Sequence, residues 1–135
     1  MRGLDTNILV RLITEDNPDQ ALAVLALLEK AEAREERFFV STIVVCELAW
    51  TLRSRPYQFR RAAIAEALDT VLETNVFELQ HRELIQRAIA EYREGWADFS
   101  DYLIGCENDS AGCSDTITLD EDLSQVEGFA LLSIP

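Results

Sequence analysis

Met1-Arg2-Gly3-Leu4-Asp5-Thr6-Asn7-Ile8-Leu9-Val10 holds a strand-like start, three residues that favour helix caps, and an apolar run. Arg2 to Leu4 reads as a first strand, and Thr6 or Asn7 can cap a helix reaching about Thr14. A strand feeding directly into a helix is how α/β chains begin. An acid, Asp5, stands at the junction.

Working outward, the same alternation continues. Asn17-Pro18-Asp19 opens a second helix, with Pro18 placed where its missing N–H costs little. The Ala/Leu periodicity carries that helix from Ala21 to Ala33. Arg37 to Val40 reads as a second strand, and Ser41 or Thr42 caps the next helix, which Pro56 ends. A helix from Arg60 to Glu73, a strand from Asn75 to Leu79 and a helix from Arg82 to Arg93 come next. Gly95 breaks the pattern. A further helix starts near Phe99 or Ser100 and stops around Ala111-Gly112. Asp115 to Leu119 makes a fourth strand, Asp120 to Gln125 a single helical turn, and Phe129 to Ile134 a last strand. No repeat, low-complexity tract or long linker divides the chain. The expectation is one domain over 1–135, a three-layer α/β/α sandwich with a mostly parallel central sheet.

Composition narrows the function. With 135 residues and 48% hydrophobic content, the chain suits a single sizeable core. No apolar run reaches the ~18 residues of a membrane span, and no secretory pattern opens the chain. A cytoplasmic protein is expected. Cys46, Cys106 and Cys113 lack metal-ligand spacing and read as reduced packing thiols. The net charge of −13 is uneven: residues 1–93 carry all 12 Lys and Arg with 15 acids, whereas residues 94–135 carry 10 acids and neither Lys nor Arg. That balance argues against broad electrostatic adhesion to nucleic acid, which needs a positive surface.

Five acids sit in unusual company. Asp5 follows the first strand, and Glu47 interrupts the apolar run Ile43-Val44-Val45-Cys46-Glu47-Leu48-Ala49-Trp50. Asp98 and Asp101 bracket Phe99-Ser100, and Asp120 closes Thr116-Ile117-Thr118-Leu119. An ionised carboxylate beside buried apolar residues is costly unless a cation or a hydrogen-bond donor meets it. Converged acids form a hard-oxygen site for Mg²⁺ or Mn²⁺. In parallel α/β sheets, ligands bind beyond the carboxyl ends of strands, where Asp5 and Asp120 both fall. Each acid also has a plainer reading. Asp5-Thr6-Asn7 can be a turn, and Glu47, Thr51 and Ser54 can be the wet stripe of a helix. Asp98 and Asp101 suit the first turn of a helix regardless of function, and Asp120 can cap the turn after it.

In order and context, Asp5-Thr6-Asn7, the Glu47-Leu48 helix, Asp98-Phe99-Ser100-Asp101 and Thr118-Leu119-Asp120 resemble the PIN-domain ribonuclease family. The resemblance is closest to its toxin branch of the VapC type and spans nearly the whole chain. It implies a Mg²⁺- or Mn²⁺-dependent endoribonuclease acting on RNA, the toxin of a toxin–antitoxin pair. Such toxins often dimerise and are blocked by a small antitoxin over the acidic cleft. Carried over by motif, the metal-binding acids are Asp5, Glu47, Asp101 and Asp120. Asp98 is either an auxiliary acid or the principal ligand in place of Asp101. Thr6, Asn7 and Thr118 are the supporting polar groups. Gly105-Cys106-Glu107-Asn108 departs from the small apolar residues usual there and weakens that helix.

Two other functions compete: a metal-dependent DNA or flap nuclease, and a degenerate PIN-like interaction module whose acids serve capping and solubility. Arg53-Ser54-Arg55-Pro56-Tyr57-Gln58-Phe59-Arg60-Arg61 offers cations and rings for RNA, but a solvated loop with aromatics returning to the core is the preferred reading. His81 reads as a cap or surface residue. Trp50 and Trp96 read as packing residues rather than base-stacking platforms.

Overall fold

The computed structural model describes residues 1–135. The element order is β1 (Arg2–Gly3), α1 (Thr6–Ile13), α2 (Pro18–Ala33), β2 (Phe38–Val40), α3 (Thr42–Arg53), α4 (Arg61–Glu73), β3 (Phe77–Leu79), α5 (Arg82–Glu94), α6 (Phe99–Ser110), β4 (Thr116–Thr118), a 3-10 turn (Leu123–Gln125) and β5 (Phe129–Leu131). Strands and helices alternate as expected, and every strand pairing is parallel. The chain is of the α/β class. Its strands form two hydrogen-bonded sheets, β1-β2-β3 and β4-β5, rather than one continuous ladder. No helix is long and apolar enough to cross a membrane. Two compact units divide the chain, Met1–Arg82 and Glu83–Pro135.

In the first unit, β2 is the middle strand, with Phe38 in register with both Arg2 and Phe77. Phe38 and Val40 of β2 and Phe77 and Leu79 of β3 are buried, while the residues between them face outward in the two-residue alternation of a pleated strand. Helix α1 buries Thr6, Leu9 and Val10 at helical spacing. Helix α3 buries Val44, Val45, Leu48, Ala49 and Leu52, and α4 buries Ile64, Ala65, Ala67, Leu68 and Val71. Each fully buried Leu or Val stabilises the unit by about 1.5–3 kcal/mol relative to exposure. Asn17 caps α2 through Gln20 N–H, with Pro18 at its first position.

In the second unit, Ile85, Ala88, Ile89 and Tyr92 of α5 and Phe99, Tyr102, Leu103 and Cys106 of α6 are buried. Tyr92 and Phe99 meet edge to face at 6.2 Å. Gly95 between these helices is a forced choice. A Cβ there would lie 1.8 Å from the Tyr102 hydroxyl, which accepts hydrogen bonds from the N–H groups of Trp96 and Ala97. The helix-weakening residues of α6 also acquire a reason. Gly105 leaves room for the Phe129 ring, and Asn108 Nδ2 donates to Thr116 Oγ1 at 2.9 Å, tying α6 to β4.

Candidate functional site

In the first unit the site is organised by one buried hydroxyl. The N-cap of α1 is Asp5, not Thr6 or Asn7, with φ −87° and ψ 160°. Asp5 Oδ1 accepts from Thr6 N–H at 2.9 Å. Thr6 is itself only 8% exposed, and its Oγ1 donates to Glu47 Oε2 at 2.6 Å. A hydroxyl bonded to a carboxylate at this distance is a strong, charge-assisted contact. Thr6 is the first residue of α1, so the residue before it, Asp5, takes the cap position. Asp5 and Glu47 are both exposed, and neither takes part in an ion pair. Asn7 is exposed on the first turn of α1.

In the second unit, Asp98 is the N-cap of α6 and Asp101 its third residue, and together they form a reciprocal capping box. Asp98 N–H donates to Asp101 Oδ2 at 3.2 Å. Asp101 is half-buried, whereas Asp98 is exposed. Asp120 lies two residues beyond the carboxyl end of β4. Its Oδ1 accepts from the N–H groups of Asp122 and Leu123 at 2.9 and 3.1 Å, which closes the turn there. Thr118 Oγ1 accepts from Asp120 N–H at 3.1 Å.

The structure thus joins Asp5 to Glu47 through Thr6 and Asp98 to Asp101 through the capping box, and Asp120 is held by its own turn. No group of three or more His, Cys, Asp or Glu side chains is gathered closely enough to hold a metal ion. The donor chemistry nevertheless fits Mg²⁺ or Mn²⁺: hard carboxylate oxygens, unneutralised by Lys or Arg at Asp5 and Glu47. The cavity of about 430 Å³ in the second unit lies elsewhere. It is lined by Arg87, Glu91, Cys106, Asp109 and Cys113 among others, and none of the five acids reaches it. Within it Arg87 pairs with Asp109 at 2.9 Å and Glu91 at 3.7 Å. Burial, with Glu91 alongside, pushes the Cys106 thiol up to about 11.

Two sequence expectations need correction. Trp50 and Trp96 are not packing residues, being 70% and 55% exposed. On α3 the stripe Val44-Leu48-Leu52 faces inward, so Ile43, Glu47 and Trp50, four and three residues apart on the other side, face water. A helical wheel carries that signal; hydrophobic identity alone hides it. Between α3 and α4, residues 54–60 form the expected solvated loop, but its rings are half-buried rather than returned to the core. Tyr57 accepts from Arg11 Nη1 and donates to Asp16 Oδ2, and Phe59 meets it edge-on at 6.4 Å. The Tyr57 and Thr14 hydroxyls hold the Asp16 carboxyl below its ordinary range. His81 is an exposed residue with φ 50° just before α5.

Parallel strands with acids at their carboxyl ends, and further acids at helix starts, define a class that sequence comparison identifies. The PIN domain profile matches residues 4–128, and the chain belongs to that family. The match runs through both compact units. The chain is also similar to a VapC ribonuclease of Aquifex aeolicus (strain VF5), with 24% identity over 118 residues, 87% of this chain and 86% of the relative. No solved structure matches.

Proposed function

We propose that this chain is a divalent-metal-dependent endoribonuclease that hydrolyses RNA phosphodiesters as the toxin of a toxin–antitoxin pair. Membership of the PIN family and similarity to a VapC ribonuclease support a nuclease. The observation that carries the site assignment is the Thr6 bridge. A nearly buried hydroxyl fixes Glu47 while the adjoining N–H fixes Asp5, so two exposed carboxylates from distant parts of the sequence are aimed by one residue.

Asp5 and Glu47, with Asp101, Asp98 and Asp120 from the second unit, would hold Mg²⁺ or Mn²⁺. Bound there, the ion supplies a water of lowered pKa and offsets charge building on the phosphate. The chain's own contribution is positional. Capping bonds at Asp5, Asp98 and Asp120 set each carboxylate, Thr6 orients Glu47, and Thr118 fixes the backbone of Asp120. Similarity to a VapC ribonuclease supports an RNA substrate and an antitoxin as partners; a second copy of this chain is a partner that only the resemblance to the toxin branch implies. The acidic segment 94–135 favours an antitoxin that presents an arginine, whose planar fork suits paired carboxylates.

One observation favours a second reading, a non-catalytic PIN-like module: Asp5, Asp98 and Asp120 each serve a cap or a turn. Paramagnetic Mn²⁺ titration followed by NMR, with RNA and DNA cleavage on the same preparation, separates the two. The nuclease reading expects saturable broadening at residues around Asp5, Glu47, Asp98, Asp101 and Asp120, and cleavage of RNA in preference to DNA. Absence of a saturable site at millimolar Mn²⁺ leaves the module. Broadening confined to one unit ends the five-acid assignment.

A further inference from the structure

We infer that Trp50 is a base-stacking residue that grips an unstacked nucleobase of single-stranded RNA beside Glu47; this rests on the nuclease reading above. The indole is 70% exposed and stacks on no other ring. It stands three residues from Glu47 on α3, so the two side chains are neighbours on one face of the helix. Thr6 hydrogen-bonds Glu47 and favours one orientation of it. The ring therefore stands within one helical turn of a candidate ligand.

The chain beyond Trp50 suits a nucleic-acid strand. Between Glu47 and Glu66 it carries Arg53, Arg55, Arg60 and Arg61 and no acid, in a protein whose net charge is −13. Arg53, Arg55 and Arg60 are exposed. Acid, indole and arginines thus succeed one another from Glu47 onward. That order fits a strand whose scissile phosphate lies at the acids, whose adjoining base lies on the ring, and whose further phosphates meet guanidinium groups. The other rings of this region are already engaged, Tyr57 by Arg11 and Asp16 and Phe59 by Tyr57. A protein partner would profit from the same exposed Ile43 and Trp50, but the cation-rich, acid-free continuation favours a polyanion.

The test combines kinetics with fluorescence. Single-turnover and steady-state cleavage of a single-stranded oligoribonucleotide is compared for the wild type, Trp50→Ala, Trp50→Leu and Trp50→Phe. In a Trp96→Phe background, stopped-flow quenching of Trp50 is read with that strand and with an abasic strand of equal length and charge. Stacking predicts a KM raised about tenfold or more in the Ala and Leu variants with kcat within about twofold, and recovery by Phe. It also predicts binding at least about tenfold weaker for the abasic strand. An unchanged KM in Trp50→Ala, full recovery by Leu, or equal quenching by both strands overturns it. So does a Trp50 emission that shifts with protein concentration before RNA is added, since another protein copy then covers the face. Cleavage by the wild type with no effect of Trp50→Ala sinks stacking and leaves the nuclease. Base-dependent quenching without cleavage does the reverse.

Discussion

Thr6 donates its hydroxyl proton to Glu47 across 41 positions of sequence at 2.6 Å, while its backbone N–H is held by Asp5 at 2.9 Å. Thr6→Val keeps the shape and removes the donor. Groups that orient metal ligands typically contribute about 10–100-fold to affinity or activity. Thr6→Val should therefore weaken Mn²⁺ binding and RNA cleavage by at least about tenfold, and Thr6→Ser should restore most of both. Calorimetric Mn²⁺ titration and a cleavage assay check this; equal metal affinity in Thr6→Val removes Thr6 from the site.

Asp5 serves a cap as well as a candidate site, and asparagine separates the roles because it caps helices as well as aspartate does. Asp5→Asn and Asp101→Asn should each lower metal-dependent RNA cleavage by at least about a hundredfold. Their circular dichroism and melting temperatures should stay close to wild type, or rise slightly without metal as like charges are thinned. Full activity in both variants would exclude them as ligands.

Gly95 lies against the Tyr102 hydroxyl, and that ring is buried and hydrogen-bonded to two backbone N–H groups. Gly95→Ala must displace it, at a cost of about 1–3 kcal/mol for overpacking. The shift reaches the start of α6, where Asp98 and Asp101 sit. Chemical denaturation should show the loss; a second change, Tyr102→Phe in the Gly95→Ala background, should relieve part of it. Wild-type stability in Gly95→Ala alone would show that the ring moves freely.

Cys106 is buried with its thiol pushed up to about 11, whereas Cys113 is exposed. The thiolate is the reactive form. At pH 8, alkylation followed by mass spectrometry should find Cys113 modified within minutes and Cys106 only after unfolding. The linkage has a definite sign. The folded state holds the proton more tightly than the unfolded chain, whose thiol titrates near ~8.5. Stability is therefore unaffected by this group below that pH and falls as pH rises from there toward 11. Cys106→Ser should flatten that alkaline decline; an unaltered pH profile would assign the decline to other groups.

Most of the fold is legible in the sequence because its boundaries are punctuated chemically. Asn17-Pro18, Ser41, Gly95 and Gly112 stand where helices start or stop. The strands are shorter than their apolar runs suggest, with β2 beginning at Phe38 rather than Arg37 and β3 at Phe77 rather than Asn75. Which of Asp5, Thr6 and Asn7 takes the cap is not legible, because all three favour it and the choice rests on contacts that local pattern does not carry. For the same reason the candidate site is readable only as residue types and as strand-end and helix-start positions. The Thr6–Glu47 bond, which decides how two of the acids point, is a tertiary fact. Trp50 defeats a reading that equates a large apolar side chain with burial, since its spacing from Leu48 and Leu52 places it on the outer face.

The pairing of β2 with both of its neighbours has a kinetic consequence. Arg2 must find Phe38 before the first short ladder exists, and Phe38 must find Phe77 before the second does. Contacts so distant along the chain are formed late and slowly, since loop closure has to precede any gain from them. β1 contributes only two residues to this ladder, and Asp5 lies just beyond its end. A nascent chain on the ribosome can wind α1 and α2 early, yet it cannot fix Asp5 in place until β2 has emerged. The strand that leads to Asp5 is made before the strand that positions it.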